Sequence, residues 1–133
     1  MNRIEVTISK VKFSEGIVMV DLEIKDTTLS ALLVEVSEVP SWLKEGNRVF
    51  AVFKETEVSI AKDFTGKISL RNKFPSEITH IEKGELMSVI SMRFHEHIIR
   101  SAITSRSVEA LELKVGDHIT AMVKANELTL MRN

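Results

Sequence analysis

The amino-acid sequence repeats itself at a constant spacing, and this repeat constrains the fold more than any other feature. LKEGNRVFAVFKETEVSI at residues 43–60 recurs as LKVGDHITAMVKANELTL at residues 113–130, an offset of 70 positions. The match extends to the first residues without a gap, where MNRIE is an imperfect copy of RNKFP. A repeat of this length indicates one folding unit present twice. We therefore predict two homologous modules, residues 1–66 and residues 67–133.

Each module carries the alternating pattern of half-buried strands. In GIVMVDLEIKD, the apolar Val18, Val20 and Leu22 alternate with other residues, which is the period of a strand with one buried face. ELMSVISMRF repeats this pattern in the second module, with Ile90 and Met92 on the matching face. Turn-forming residues, often including glycine, separate the apolar runs. The pattern predicts five short strands in each module.

One short helix is also predicted in each module. In TSRSVEALELKVG, Ser105 or Ser107 can cap a helix that Gly116 ends. The first copy, EVSEVPSWLKEG, has Pro40 near the expected helix start, where its missing N–H costs little. These elements predict an all-β fold with short helices, built as two tandem OB-like five-stranded β-barrel modules. So small a unit buries little apolar surface, and we expect oligomerisation.

Composition excludes several classes of protein. The 18 basic and 19 acidic residues give a net charge of −1, so the surface has no general attraction for nucleic acids or anionic membranes. Cysteine is absent, which rules out disulfides, thiolate metal sites and a cysteine nucleophile. MNRIEVTISK lacks the apolar core of a secretion signal, and no apolar run approaches the roughly 20 residues of a membrane span. We expect a soluble cytoplasmic protein.

Four short motifs follow one another in the second module. They are SLRN at residues 69–72, ITSRSV at 103–108, LKVGD at 113–117 and AMVKA at 121–125. Together they resemble the molybdenum-pterin-binding (Mop) domain, also called the TOBE domain, across residues 69–131. The whole chain resembles the tandem-Mop molbindins, which are small cytoplasmic oxyanion-binding proteins. Neither a helix-turn-helix nor a phosphate-binding glycine loop precedes the modules, so the stand-alone binding protein fits best.

The resemblance implies a function and a set of site residues. It implies a non-enzymatic protein that binds molybdate or tungstate between subunits, for storage, homeostasis or delivery. It also implies a homo-oligomer, a trimer, with no nucleic-acid or membrane partner and no cofactor beyond the oxyanion. The positions that match the family's motifs are Ser69, Arg71, Asn72, Thr104, Ser107, Lys124 and Ala125.

These residues suit the chemistry of a tetrahedral dianion. Molybdate offers only acceptor oxygens, so its site needs hydrogen-bond donors and positive charge, with carboxylates kept away. Arg71 and Lys124 are cationic, and the serine and threonine hydroxyls can donate. Ala125 can contribute only through its backbone. Because phosphate near neutral pH carries a proton that requires an acceptor, we expect weak phosphate binding.

The first module departs from this pattern. At the same offset, Met1 replaces Arg71 and Val34 replaces Thr104, whereas Lys54 and Ser37 persist as secondary oxyanion-binding positions. Glu55 follows Lys54, and an acidic residue there is unfavourable for an anion. The first module is therefore expected to be mainly a scaffold.

Other functions have less support. His95 and His97 stand two positions apart on a predicted strand, but no cysteine or second histidine pair accompanies them, so we predict no metal site. No nucleophile–base order or metal-binding helix motif indicates an enzyme. OB-like barrels can bind single-stranded nucleic acid, although this chain has no tyrosine and one tryptophan for base stacking. A regulatory or sensing module that docks to a molybdate transporter or a transcription regulator is the other alternative.

Overall fold

Ten β-strands form two five-stranded antiparallel sheets in the computed structural model, which describes all residues from 1 to 133. The strands are β1 (Asn2–Ser14), β2 (Ile17–Ile24), β3 (Thr27–Leu33), β4 (Arg48–Phe53), β5 (Ser59–Ala61), β6 (Asn72–Lys83), β7 (Met87–Phe94), β8 (His97–Thr104), β9 (His118–Val123) and β10 (Thr129–Arg132). One α-helix, α1 (Ser105–Ala110), and two short 3₁₀ helices at Glu55–Glu57 and Ala125–Glu127 complete the regular structure. None of these helices combines the length and the apolar character of a membrane span. The predicted all-β fold class is confirmed.

Each sheet contains the last strand of the other repeat. The first sheet has the order β10-β4-β1-β2-β3, and the second has the order β5-β9-β6-β7-β8. Strand β10 comes from the second repeat but pairs with β4, where Thr129 lies opposite Val52. Strand β5 comes from the first repeat but pairs with β9, where Ser59 lies opposite Met122. Each hydrogen-bonded sheet therefore contains strands from both sides of the predicted boundary between residues 66 and 67. Neither repeat completes a five-stranded sheet alone.

The two repeats share one hydrophobic core. A single cluster of 27 buried residues draws on both sheets. Phe53 of the first repeat stacks on Phe74 of the second, with ring centroids 5.5 Å apart, and Phe74 meets Phe94 edge-on at 5.2 Å. Such aromatic pairs contribute about 0.5–1.5 kcal/mol beyond the area that they bury. The contacts that build the core therefore also hold the repeats together.

A bulge curves the long first strand of each repeat. The register of β1 shifts after Ile8, and that of β6 shifts after Ile78. A glycine turn contacts each bulge: the Gly46 N–H donates to the Ile8 carbonyl at 2.7 Å, and the Gly116 N–H donates to the Ile78 carbonyl at 2.8 Å. Both glycines have φ in the left-handed region, +91° and +95°, which side chains disfavour. Because a bulge bends and twists its strand, five strands can curl around the core.

The short helix predicted in the first repeat is absent, and that prediction is wrong. The corresponding segment forms turns and irregular backbone. Pro40 matches Ala110, the last residue of α1, where a proline ring would clash with the carbonyl of the preceding turn and restrict the residue before it. Val34 replaces the capping Thr104, and Glu35 adopts a φ of 57°. The first repeat therefore lacks the cap that begins the helix and has a proline at the position of its last residue.

Candidate functional site

Arg71 and Lys124 adjoin the last residue pair at one end of the second sheet. The β6–β9 ladder ends with Asn72 opposite Val123, so Arg71 directly precedes β6 and Lys124 directly follows β9 at this end. Both residues are exposed, and neither takes part in an ion pair. Exposed Ser69 precedes them by two residues. This end of the sheet therefore carries two cationic side chains without a carboxylate partner.

Ala125 follows Lys124 directly and begins the second 3₁₀ helix. The first N–H groups of a helix have no partner within it, so the Ala125 N–H can serve an external acceptor. Its side chain is a methyl group, which brings no competing charge. The predicted role of Ala125 through its backbone is consistent with this position.

Thr104 and Ser107 form a second group of donors. Thr104 is the N-cap of α1, and its Oγ1 accepts a hydrogen bond from the Ser107 N–H at 3.1 Å. The two hydroxyl oxygens are 2.8 Å apart, and either can be the donor. Whichever hydroxyl donates, the other keeps its own O–H for a further acceptor. The pair therefore offers one hydroxyl donor to an external ligand.

The two groups of donors do not meet within one chain. Thr104 lies opposite Met87, and the next residue, Ser88, lies opposite Lys83 at the end of β6. Arg71 precedes the other end of β6. Strand β6 has 12 residues, which corresponds to about 36 Å of extended backbone. The cavity next to Thr104, about 670 Å³ in volume, is also lined by Arg106 but not by Arg71 or Lys124. A single chain thus presents two separate parts of the predicted site.

Asn72 has a structural role that the sequence did not indicate. Its side chain is fully buried; Nδ2 donates to the Ser30 carbonyl at 2.9 Å, and Oδ1 accepts from the Ser30 N–H at 2.7 Å. Asn2 makes the same pair of bonds with the backbone of Arg100, at 2.9 Å and 2.8 Å. Asn72 therefore positions the adjacent Arg71, whereas its predicted contact with an oxyanion would require this buried side chain to reach the surface.

The same bonds bring Ser30 and Arg100 next to the candidate residues, and sequence analysis missed both. Each comes from the repeat opposite to the asparagine that it contacts. The sequence pattern within one repeat does not show which residues of the other repeat will lie beside it. Only the offset itself, which matches Ser30 with Arg100, could have linked them.

The secondary positions of the first repeat differ in their surroundings. Lys54 and Ser37 are both exposed, and Lys54 lies at the start of the first 3₁₀ helix. The carboxylate of neighbouring Glu55 accepts a hydrogen bond from the Met1 nitrogen at 2.6 Å. This hydrogen bond is the largest cause that lowers the pKa of Glu55, followed by a bond from the backbone N–H of Glu55. A carboxylate thus stands beside the lysine of the first repeat.

The histidines lie differently from the prediction. His95 is not on a strand: it occupies the two-residue turn between β7 and β8, with a φ of 54°. Its Nε2 is 3.4 Å from Asp26 Oδ1, while the neighbouring Lys25 Nζ pairs with Glu96 Oε2 at 2.7 Å. No group of three or more histidine, cysteine or acidic side chains is arranged to hold a metal ion. These residues connect the hairpin turns of the two repeats.

Comparison with known proteins identifies the family. A family model described as the TOBE domain matches residues 68–130. A solved molybdate-binding protein from Sporomusa ovata is 40% identical, with 100% of that chain and 50% of this one covered at a TM-score of 0.50. The chain belongs to the TOBE-domain family. The predicted resemblance is therefore confirmed.

One further relative of this TOBE protein has almost the same length, and two others are much longer. The crystal structure of the cytoplasmic molybdate-binding protein ModG with molybdate bound is 27% identical at a TM-score of 0.92, covering 99% of this chain and 96% of that one. The molybdenum import ATP-binding protein ModC of Brucella abortus is 37% identical over 84 residues, 62% of this chain and 23% of that protein. The molybdenum transport protein ModE of Herbaspirillum seropedicae is 31% identical over 85 residues, 62% of this chain and 32% of that protein. The chain therefore spans a third or less of these two longer relatives.

Proposed function

We propose that this TOBE protein binds molybdate or tungstate at sites between the subunits of a homo-oligomer. The observation that carries the proposal is the pair of exposed cations, Arg71 and Lys124, which adjoin the last β6–β9 residue pair and make no ion pair with a carboxylate. A dianion with only acceptor oxygens is the ligand that such a group of donors favours. The molybdate-bound relative of almost the same length supports this choice of ligand.

The first repeat supports an anion position next to these cations. There, the Glu55 carboxylate contacts the nitrogen of residue 1. The corresponding residues in the second repeat are Ala125 and Arg71, so the second repeat has a methyl group where the first has this carboxylate. A methyl group after Lys124 leaves the charge of the two cations for an external oxyanion.

The separation of the donors supports sites shared between subunits. Because Thr104 and Ser107 lie far from Arg71 along β6, all the predicted donors can surround one ligand only if another copy supplies some of them. Leu86 and Met87, next to Thr104, are 78% and 50% exposed. Burial of such apolar side chains favours association. We propose a trimer on the basis of the family resemblance.

The proposed cellular role is storage, homeostasis or delivery of the oxyanion in the cytoplasm, without catalysis. ModG is described as a cytoplasmic molybdate-binding protein, and its coverage of the whole chain supports this role. A regulatory role, in which the modules dock to a transporter or regulator, is the second candidate. It is favoured by the match to a part of ModC and a part of ModE.

Titration and elemental analysis test the proposal. Calorimetric titration with molybdate should show saturable binding, whereas phosphate should bind much more weakly because no acceptor serves its proton. Molybdenum or tungsten should be detected in the protein as purified, and its mass in solution should be a multiple of the chain mass. A folded protein that binds neither molybdate nor tungstate would contradict the proposed function. Oligonucleotide binding with a steep salt dependence would instead indicate a nucleic-acid-binding protein.

A further inference from the structure

The first repeat places a carboxylate where the second repeat has a methyl group. Glu55 corresponds to Ala125 at the start of otherwise equivalent 3₁₀ helices. The Glu55 carboxylate is 2.6 Å from the Met1 nitrogen, and Met1 corresponds to Arg71. Its side chain is 36% exposed, and the hydrogen bond from the Met1 nitrogen holds the carboxylate at this position. It therefore stands in the position that we propose for an external anion in the second repeat.

Two cationic side chains belong to this part of the first repeat. Lys54 precedes Glu55, as Lys124 precedes Ala125. Arg100 is supplied by the second repeat, because Asn2 holds its backbone through two hydrogen bonds, and strand β8 packs against the 3₁₀ helix that contains Glu55. Arg100 corresponds to Ser30 in the other half of the molecule. The first repeat thus has methionine at the position of Arg71, and an arginine of the partner repeat adjoins its next residue, Asn2.

We propose that the first repeat contains a latent oxyanion site, formed with Lys54 and Arg100, that the Glu55 carboxylate fills as an internal anion. The inference rests on the proposed function of the second repeat, since that function defines the anion position. A covalently attached carboxylate is always present at a high local concentration, so a free dianion must displace it. Displacement would also leave Glu55 close to the incoming negative charge. The site is therefore closed to oxyanions in the native chain.

Replacing Glu55 by alanine tests the inference. Alanine is compatible with this backbone because Ala125 occupies the same place in the second repeat. After equilibrium dialysis against molybdate, we expect Glu55→Ala to bind about one more oxyanion per chain than the native protein, because removal of the internal anion frees the local donors. The increase should disappear when Arg100→Ala is added, since the Asn2 bonds involve only the Arg100 backbone and survive this change. Circular dichroism should confirm that each variant is folded.

A matched control distinguishes oxyanion binding at the latent site from an effect of the changed net charge. Glu45→Ala removes a carboxylate that is exposed and unpaired, and it should bind as many oxyanions as the native protein. If Glu55→Ala binds no more oxyanion than the native protein, the inference is overturned. The native protein provides the separate test of the proposed function: no binding by the native chain contradicts that function. Binding that appears only in Glu55→Ala would support the latent site and contradict the function of the second repeat.

Discussion

At the scale of residues, the same positions serve different purposes in the two repeats. Lys54 and Lys124 both precede a 3₁₀ helix, but a carboxylate follows the first and a methyl group follows the second. Asn2 and Asn72, in contrast, make identical pairs of backbone bonds. The repeats thus retained the residues that join them, while the charges around the candidate sites diverged. Predictions for single substitutions follow from this division.

Arg71→Ala and Lys124→Ala should each weaken molybdate binding while the thermal stability stays unchanged. Both side chains are exposed, and a hydrogen bond to a charged group contributes about 1.5–3 kcal/mol, or roughly 10- to 100-fold in affinity. Calorimetric titration measures the loss. Lys44→Ala removes an exposed, unpaired lysine elsewhere and serves as the control, and Lys54→Ala should have a smaller effect. Native-like affinity in either main variant would disprove the role of that residue.

Asn72→Ala should destabilise the fold. The substitution leaves the partly buried N–H and carbonyl of Ser30 without their side-chain partners, and each unsatisfied group costs about 1–3 kcal/mol. Urea unfolding should show a loss of roughly 2–6 kcal/mol in the free energy of unfolding by the same reasoning. Asn126→Ala, which truncates an exposed amide, should leave the stability unchanged. Equal stability of the two variants would mean that the Ser30 bonds contribute nothing.

At the scale of elements, the clearest difference between the repeats is helix α1. Its formation depends on the Thr104 cap and on the absence of proline from its last position. The first repeat has no such cap and has a proline at that position. The glycine turns, in contrast, occur in both repeats and make the same contacts with the bulged strands. Elements whose caps and turns are retained have therefore kept their geometry.

Thr104→Val should destabilise α1 and weaken oxyanion binding together. The change removes the cap bond to the Ser107 N–H, and loss of an N-cap costs about 1 kcal/mol. It also removes a hydroxyl from the second group of donors. Chemical unfolding and titration measure the two effects, and Thr104→Ser should restore both because it keeps the hydroxyl. A Thr104→Val variant with native stability would show that the cap is dispensable.

Asp117→Asn should reduce stability at neutral pH but not in acid. Bonds from the Lys114 N–H and from Lys62 lower the pKa of Asp117 below its ordinary value of 3.8. A carboxyl with a depressed pKa stabilises the fold above its unfolded-state pKa, and this contribution is lost as the pH falls through the folded-state pKa. The stability difference between the native and variant proteins should therefore shrink below pH 3.8. A difference that does not depend on pH would contradict this assignment.

At the scale of the whole molecule, strand exchange makes the two repeats one folding unit. Strand β10 completes the first sheet, β5 completes the second, and the aromatic rings of both repeats meet in one core. Opening either repeat would remove a strand from the other. The exchanged strands also bring residues of one repeat beside the candidate site of the other.

Unfolding should therefore be a single cooperative transition. Trp42 lies in the first repeat and is the only tryptophan, so its fluorescence reports on that repeat, whereas far-UV circular dichroism reports on both. The two urea curves should coincide, which is the behaviour expected of one cooperative unit. Separate midpoints would mean that the repeats unfold independently despite the shared strands.

The sequence by itself determined the repeat, the strand pattern and the group of residues matched to the family. Those features depend on alternation, turn residues and spacing, which are local properties of the chain. The absence of the helix in the first repeat was not predicted: the 70-residue offset aligns Pro40 with Ala110, but only the structure shows that Ala110 is the last residue of α1.

Tertiary structure alone decided which repeat supplies each neighbour. The exchange of β5 and β10, the buried state of Asn72 and the position of Arg100 arise from contacts between repeats. The two sheets have equivalent strand orders and therefore equivalent edges, so the alternating pattern of one strand does not specify which sheet it joins. The shared core selects between them, and that choice depends on packing across the whole chain.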